Sequence, residues 1–212
     1  MKLLDMLQGI KNIIFDLGGV IYAIDYQATT RAFACMGIKD FEQIYAKVGQ
    51  SDLFDNFETG MISKAEFIGE IKEYLDPSIS DEDIINSWNA MLIDFIPDAL
   101  ECLKSLQGSY RIFLLSNTNE IHIKEIKDRV GEEFYSEFCQ LFEKVYLSHD
   151  LGLRKPHTEV FTHIINAQSL DPKETLFIDD SPQHIEGASK VGLKVYHLKD
   201  GEKISELSTK NL

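Results

Sequence analysis

Asn12-Ile13-Ile14-Phe15-Asp16-Leu17-Gly18-Gly19-Val20 combines a short apolar run, one carboxylate and a glycine pair. The run is too brief for a helix and is bounded by glycines, so it reads as a buried parallel strand with Asp16 at its carboxyl end. In open parallel α/β sheets, ligand chemistry sits outside the carboxyl ends of the strands. A lone strand-end Asp more often caps a turn, so what Asp16 does depends on the rest of the chain.

Downstream of Val20 no comparable strand pattern recurs until Arg111. The stretches Tyr26 to Met36, Phe41 to Val48, Lys64 to Leu75 and Asp81 to Leu92 carry apolar residues at helical spacings of three and four. Ser63-Lys64-Ala65-Glu66 forms a capping box, and Ser80 precedes an acidic first turn that suits the helix dipole. Roughly seventy residues of helix after a first strand exceed an ordinary connection and imply an inserted helical cap. Pro97 opens a helix over Asp98 to Leu106, and a βα alternation follows. Strands are expected at Arg111 to Ser116, Lys144 to Ser148, Thr175 to Asp179 and Leu193 to Leu198. Helices are expected at Asn119 to Arg129, His157 to Ala167 and Ile185 to Val191. This alternation specifies an α/β fold with a Rossmann-like, doubly wound parallel sheet. The division it implies is a core of residues 1–23 and 94–212 and a helical cap of residues 24–93. The polar tail from Asp200 is expected to be a short edge helix or disordered.

The 212 residues are 44% hydrophobic and 26% charged, enough to bury a sizeable core. No apolar run approaches the ~20 residues of a membrane span, and Met1 to Ile10 lacks a signal-peptide core, which points to a cytosolic protein. Thirty-five acidic against 21 basic side chains give a formal charge of −14, which opposes binding to nucleic acid or an anionic membrane. Cys35, Cys102 and Cys139 lie in apolar stretches without metal-ligand spacing and read as reduced core residues. Oligomeric state leaves no mark in the sequence.

Polar groups recur at the strand ends. Asp16 follows the first strand, Ser116-Asn117-Thr118 the second and Asp179-Asp180 the fourth, while Arg154-Lys155-Pro156 lies in the loop after the third. Each has an ordinary alternative: Ser116 as a helix cap, Lys155 as a solvated lysine, Asp180 as the cap of the next helix. Together they match what phosphoryl transfer needs: a carboxylate nucleophile, a cation and hydrogen-bond donors for phosphate oxygens, and hard carboxylate ligands for Mg²⁺. On this reading Asp16 attacks. Ser116, Asn117 with its backbone N–H, and Lys155 hold the phosphate, while Asp16, Asp179, Asp180 and the Gly18 carbonyl surround the metal.

From Lys11 to Asp200 the chain resembles the haloacid dehalogenase-like hydrolase superfamily. Its four motifs match Phe15-Asp16-Leu17-Gly18-Gly19-Val20, Leu115-Ser116-Asn117-Thr118, Arg154-Lys155-Pro156 and Ile178-Asp179-Asp180, and the helical stretch sits where that superfamily inserts its helical cap. Asn119, His122, Tyr146-Leu147-Ser148 and Ile185-Glu186-Gly187-Ala188 bring it close to a bacterial subgroup that includes α-D-glucose-1-phosphate phosphatases. The resemblance implies a Mg²⁺-dependent phosphatase of a small phosphoester, with a sugar 1-phosphate as one candidate, acting through an aspartyl-phosphate.

Two positions depart from the superfamily pattern. Most of its phosphatases carry a second Asp two residues after the nucleophile as acid/base, and here that residue is Gly18. Loss of such a group costs ~10²–10⁴ in rate. Either the leaving group is activated, as in a sugar 1-phosphate, or a cap residue such as Asp25 or Glu58 supplies the proton. His184 stands where many members have an Asn or Asp that orients the lysine or the metal shell; it reads either as doing the same through one ring nitrogen or as an exposed first-turn helix residue. His122, His149, His157, His163 and His197 lack partners at ligand spacing. A 2-haloacid dehalogenase tolerates Gly18, but the Asp179-Asp180 pair argues for a cation that such enzymes do without. A phosphate-binding module without turnover is the third reading. Specificity is expected from cap residues among Tyr22, Asp25, Arg31 and the Ser51 to Gly60 loop; the sequence does not say which point inward, and Tyr22 and Arg31 read equally as packing and surface residues.

Overall fold

The computed structural model describes residues 3–36 and 52–207. In chain order these residues form β1 (Asn12–Phe15), β2 (Tyr22–Ile24), α1 (Tyr26–Cys35), α2 (Leu53–Glu58), α3 (Lys64–Lys72) and α4 (Asp81–Asn89). Then come β3 (Leu92–Phe95), α5 (Ala99–Leu106), β4 (Arg111–Ser116), α6 (Glu120–Val130), α7 (Glu132–Cys139), β5 (Lys144–Leu147) and α8 (Ser148–Leu151). The chain closes with α9 (Thr158–Gln168), β6 (Thr175–Asp179), α10 (Pro182–Lys190) and β7 (Lys194–His197). The helix expected at Phe41 to Val48 lies outside the described residues, as does Ser51.

Five strands form one parallel sheet in the order β5-β4-β1-β6-β7. All four residues of β1 are buried, as a central strand covered on both faces requires. Successive side chains point to opposite faces, so Ile13 and Phe15 join one core with Ile112, Leu114, Leu176 and Ile178. Ile14 joins the other with Phe113, Leu115 and Phe177. Helices α5, α6 and α7 contribute to the first face, α9 and α10 to the second. This is the α/β doubly wound core that the alternation of elements implies.

The helical insertion has its own apolar centre. Phe33 of α1, Phe54 and Phe57 of α2, Phe67 of α3 and Trp88 of α4 pack together, with Phe57 stacked on Phe67 at 4.1 Å between ring centroids. Capping boxes start α3 at Ser63 and α4 at Ser80. Ile121 of α6 completes this cluster, so the layer is seated on the parallel-sheet core.

Some expectations need correction. The helix expected through Leu92 ends at Asn89, and Leu92 opens β3, which pairs antiparallel with β2 through Tyr22 and Phe95. This two-stranded ribbon, at the two crossings between sheet core and helical layer, is too short to stand out as periodicity. Ser148 starts α8 and does not end β5. Cys35 is exposed, unlike buried Cys102, because it ends α1 on the face away from Phe33. The tail forms a 3-10 turn over Ile204–Leu207, whose Ile204 and Leu207 are buried against the core. No described helix is long and apolar enough to cross a membrane.

Candidate active site

Register brings the strand ends together. Phe15 pairs with Leu114 on one side and Ile178 on the other, so Asp16, Ser116 and Asp179 emerge at one edge of the sheet. Lys155 reaches the same point from the loop after α8. It is fully buried, and its Nζ donates to Asp16 Oδ1 at 2.6 Å and Asp179 Oδ2 at 2.7 Å. The nucleophile candidate and the lysine thus form one buried cluster.

Asn117 sets the lysine's backbone. Its Nδ2 donates to Lys155 O at 2.8 Å and its Oδ1 accepts from Lys155 N at 2.9 Å. The side-chain amide is therefore spent on the loop, which leaves only the Asn117 backbone N–H for a bound anion. Ser148 holds the adjoining turn by accepting from Thr118 N and donating to Thr118 O. Ser116, which is not the helix cap, is left at the cavity wall; the cap of α6 is Asn119.

Asp179 is positioned from every side. Besides Lys155 it accepts from Ser181 N at 2.8 Å, and His184 Nδ1 lies 2.9 and 3.0 Å from its two oxygens. Both oxygens are committed, whereas Asp180 is only partly buried and lines the cavity. Oxygens of Asp16, Asp179 and Asp180 all lie within 4.8 Å of one another. Three carboxylates face one ammonium, and the consequence is visible in their acidities. Burial pushes Asp16 up to about 7 against the pull of Lys155, with Asp179 adding repulsion. Burial and Asp179 likewise raise Asp180. Asp179, although buried, is held down at about 2 by Lys155 and His184. Burial works against the lysine's charge, but Asp16 and Asp179 keep its pKa above the ordinary value. Hard oxygen donors with surplus negative charge fit a divalent cation such as Mg²⁺.

The glycine pair has separate causes. Gly19 has φ +70°, and a Cβ there would overlap Asp180 Oδ2, so only glycine allows that approach. A Cβ on Gly18 would collide with Ile24 Cδ1. An acid/base side chain there would have to displace the end of the Ile24 side chain, which glycine leaves in place.

The site opens into a cavity of about 700 Å³ between sheet and helical layer, within the usual size of small-molecule sites. Tyr22 lines it but is 1% exposed and packed edge-on against Phe95, 5.0 Å between centroids. Asp25 and Arg31, two of the candidates for facing the site, instead form an exposed pair at 2.6 Å in which Asp25 caps α1, and neither lines the cavity. From the expected Ser51 to Gly60 loop, Glu58 does line it. Sequence reading missed Tyr26, Gln27 and Thr30, which share the first turns of α1, and Trp88 at the end of α4. Their signal was available: a helix that starts directly after a strand leading out of the site turns its first residues toward it.

His122 holds the two layers together. Asn119 Nδ2 lies 3.2 Å from its Nδ1, its Nε2 reaches Trp88 O at 3.3 Å, and its ring stacks on the Trp88 indole. Donation by the amide to Nδ1 leaves Nε2–H to donate to the carbonyl, so the ring is neutral. Burial lowers its pKa to about 4. Between the unfolded value of ~6.5 and about 4 the unfolded chain binds more protons, so stability falls as pH falls through this window, by about 3 kcal/mol in total. Melting curves from pH 7.5 to 4.5 should therefore fall less steeply for His122→Gln than for the wild type. Equal slopes would count against a buried neutral imidazole.

Residues 10–192 match the family model for haloacid dehalogenase-like hydrolases. The chain is 31% identical over 198 residues to D-ribitol-5-phosphate phosphatase of Bacteroides thetaiotaomicron, covering 91% of this chain and 93% of that protein. A haloacid dehalogenase family enzyme from the same organism, crystallised with magnesium and inorganic phosphate, superposes with a TM-score of 0.83 at 36% identity, covering 93% of this chain and 98% of that one. A protein from Porphyromonas gingivalis described as a predicted hydrolase of this family gives a TM-score of 0.77 at 30% identity, covering 91% of this chain and 93% of that one. With Asp16, Ser116, Lys155 and the Asp179-Asp180 pair converging at one sheet edge, this chain belongs to the haloacid dehalogenase-like hydrolases.

Proposed function

We propose that the protein is a Mg²⁺-dependent phosphatase of a small phosphorylated metabolite, of sugar- or polyol-phosphate size, with Asp16 as nucleophile. The observation that carries this reading is the buried Lys155, which bridges Asp16 and Asp179 beside an acidic cluster that lacks one positive partner. The phosphatase among its relatives and the magnesium and phosphate bound in a related structure support it. A sugar 1-phosphate remains within the substrate class, since an anomeric leaving group leans least on an acid at position 18. The helical layer acts as the cap of residues 24–93, joined to the core at the β2–β3 ribbon.

In this reading Asp16 forms a bond to phosphorus as the ester P–O bond breaks. Lys155 holds Oδ1 of the nucleophile, which leaves Oδ2 to attack. Ser116 Oγ and the Asn117 N–H donate to phosphate oxygens, worth most where water is excluded. Asp16 and Asp180 with the Gly18 carbonyl would hold Mg²⁺, which when bound offsets the charge of cluster and phosphate. Asp179, spent on Lys155, His184 and Ser181, positions the lysine and orients this set. Water then attacks phosphorus of the aspartyl-phosphate, releasing inorganic phosphate and restoring Asp16. A panel of sugar phosphates, polyol phosphates, nucleotides and 2-haloacids tests this. Phosphoester turnover should vanish with EDTA and return with Mg²⁺; chelator-insensitive halide release with no phosphate release would sink the phosphatase reading.

A further inference from the structure

We propose that Glu58 is the proton donor to the leaving group and the base for water, in place of the side chain that Gly18 lacks. The inference rests on the phosphatase reading above and deepens it. Position 18 has no proton to give, and a side chain there would first have to displace the terminal methyl of Ile24. The proton must come from another wall of the cavity.

Among the described cavity-lining residues, most other titratable groups are already committed. Lys155 is locked between Asp16 and Asp179, and His184 is held on Asp179. His122 uses both ring nitrogens and is neutral. Tyr26 is 64% exposed overall, but lost solvation at its hydroxyl and the carboxylates of Asp16, Asp180 and Glu58 raise its phenol, so it cannot serve as the base for water. Glu58 lies at the last turn of α2 and lines the same cavity as Asp16. Its Oε2 is shut off from solvent and lies 3.0 Å from Arg154 Nη2 without an aligned hydrogen bond. Arg154, the residue before Lys155, also pairs with Asp55 of the same helix. Nearby, Gly60 packs so closely on His149 O that a Cβ there would overlap it. The carboxyl is thus anchored where the helical layer meets the loop that carries Lys155. Burial raises Glu58 to about 7, while the Lys155 ammonium and the Arg154 guanidinium at 3.0 Å both pull toward the carboxylate, so the group is pushed toward each of its two protonation states from a different side.

The chemistry balances. As Asp16 bonds to phosphorus, the Glu58 proton passes to the bridging ester oxygen, which departs as an alcohol. The Glu58 carboxylate then takes a proton from the water that attacks the aspartyl-phosphate, so phosphate leaves and both residues return to their starting states.

Leaving-group dependence in Glu58→Gln tests this. kcat/KM reports the first irreversible step, so an alkyl phosphate such as a sugar 6-phosphate should lose ~10²–10⁴-fold. p-Nitrophenyl phosphate, whose leaving group needs no acid, should lose less than about fivefold in kcat/KM. It should also show a burst of one nitrophenolate per enzyme, because water is no longer activated. Equal losses of kcat/KM on both substrates, or no loss on the alkyl phosphate, would overturn the proposal and leave the phosphatase standing. Inactivity of the wild type on every phosphoester would overturn both. If Glu58→Gln does not fold, Glu58→Asp should show the same split in weaker form, and equal losses on the two substrates in that variant would overturn the proposal in the same way.

Discussion

Asp16→Asn is expected to reduce turnover of any phosphoester by on the order of 10⁴–10⁶-fold, because an amide cannot form the acyl-phosphate. The structure also makes this a clean test. Asp16 is one of three clustered carboxylates, and burial raises its pKa to about 7 against the pull of Lys155. A neutral amide of the same shape relieves repulsion with Asp179 and Asp180, so the variant should fold with an unchanged or higher melting temperature. Its Oδ1 still accepts from Lys155, so phosphate binding should survive while labelling of the enzyme by a phosphoester is lost. Retained turnover in a folded Asp16→Asn variant would remove the aspartyl-phosphate from consideration.

Why Asp16 is legible in the sequence and Glu58 only partly so is a matter of which constraint each residue obeys. The strand Asn12–Phe15 is buried on both faces, and after Asn12, whose amide is bonded to Thr175, it is apolar, so it announces itself locally. The following motifs sit at strand ends, where chain order and a parallel sheet fix their meeting point. Lys155 can be placed by its motif, yet complete burial and its two carboxylate partners depend on tertiary register. Asn117 shows the limit more sharply. Its position beside Ser116 suggests contact with phosphate, but only the fold reveals that its amide is consumed by the Lys155 backbone.

The helical layer is harder to read because its inward residues are selected by docking, not by periodicity. As acids in a very acidic chain, Asp25 and Glu58 are equal candidates by sequence. In the fold one is an exposed helix cap paired with Arg31, the other a cavity residue held by Arg154. The β2–β3 ribbon escapes for another reason. Three- and four-residue strands give too few alternations to separate from helix ends, and their pairing joins segments far apart in the chain.

Lys155→Met carries the other large expected effect, on stability and activity together. The methionine matches the length of the lysine stem and can keep the contact with the Phe177 ring, over which Nζ lies at 5.6 Å. What it removes is the single ammonium between Asp16 and Asp179, leaving buried Asp16 without its ion-pair partner and Asp179 with only His184 and the Ser181 N–H. Loss of one partner from a buried ion pair costs about 3–5 kcal/mol. For a chain of this size that is a fall of roughly 10 °C in melting temperature. Part of the cost should be evaded by proton uptake at Asp16, so the destabilisation should shrink as pH is lowered from 8 toward 6. Adding Asp179→Asn to Lys155→Met should restore much of the stability, since the carboxylate that needed the ammonium is gone, but none of the turnover. That separation is the useful result. If the double variant regained activity with stability, the lysine would be a structural counter-ion alone; if stability and activity both stay lost, the charge pairing at the strand ends is not what holds the cluster together.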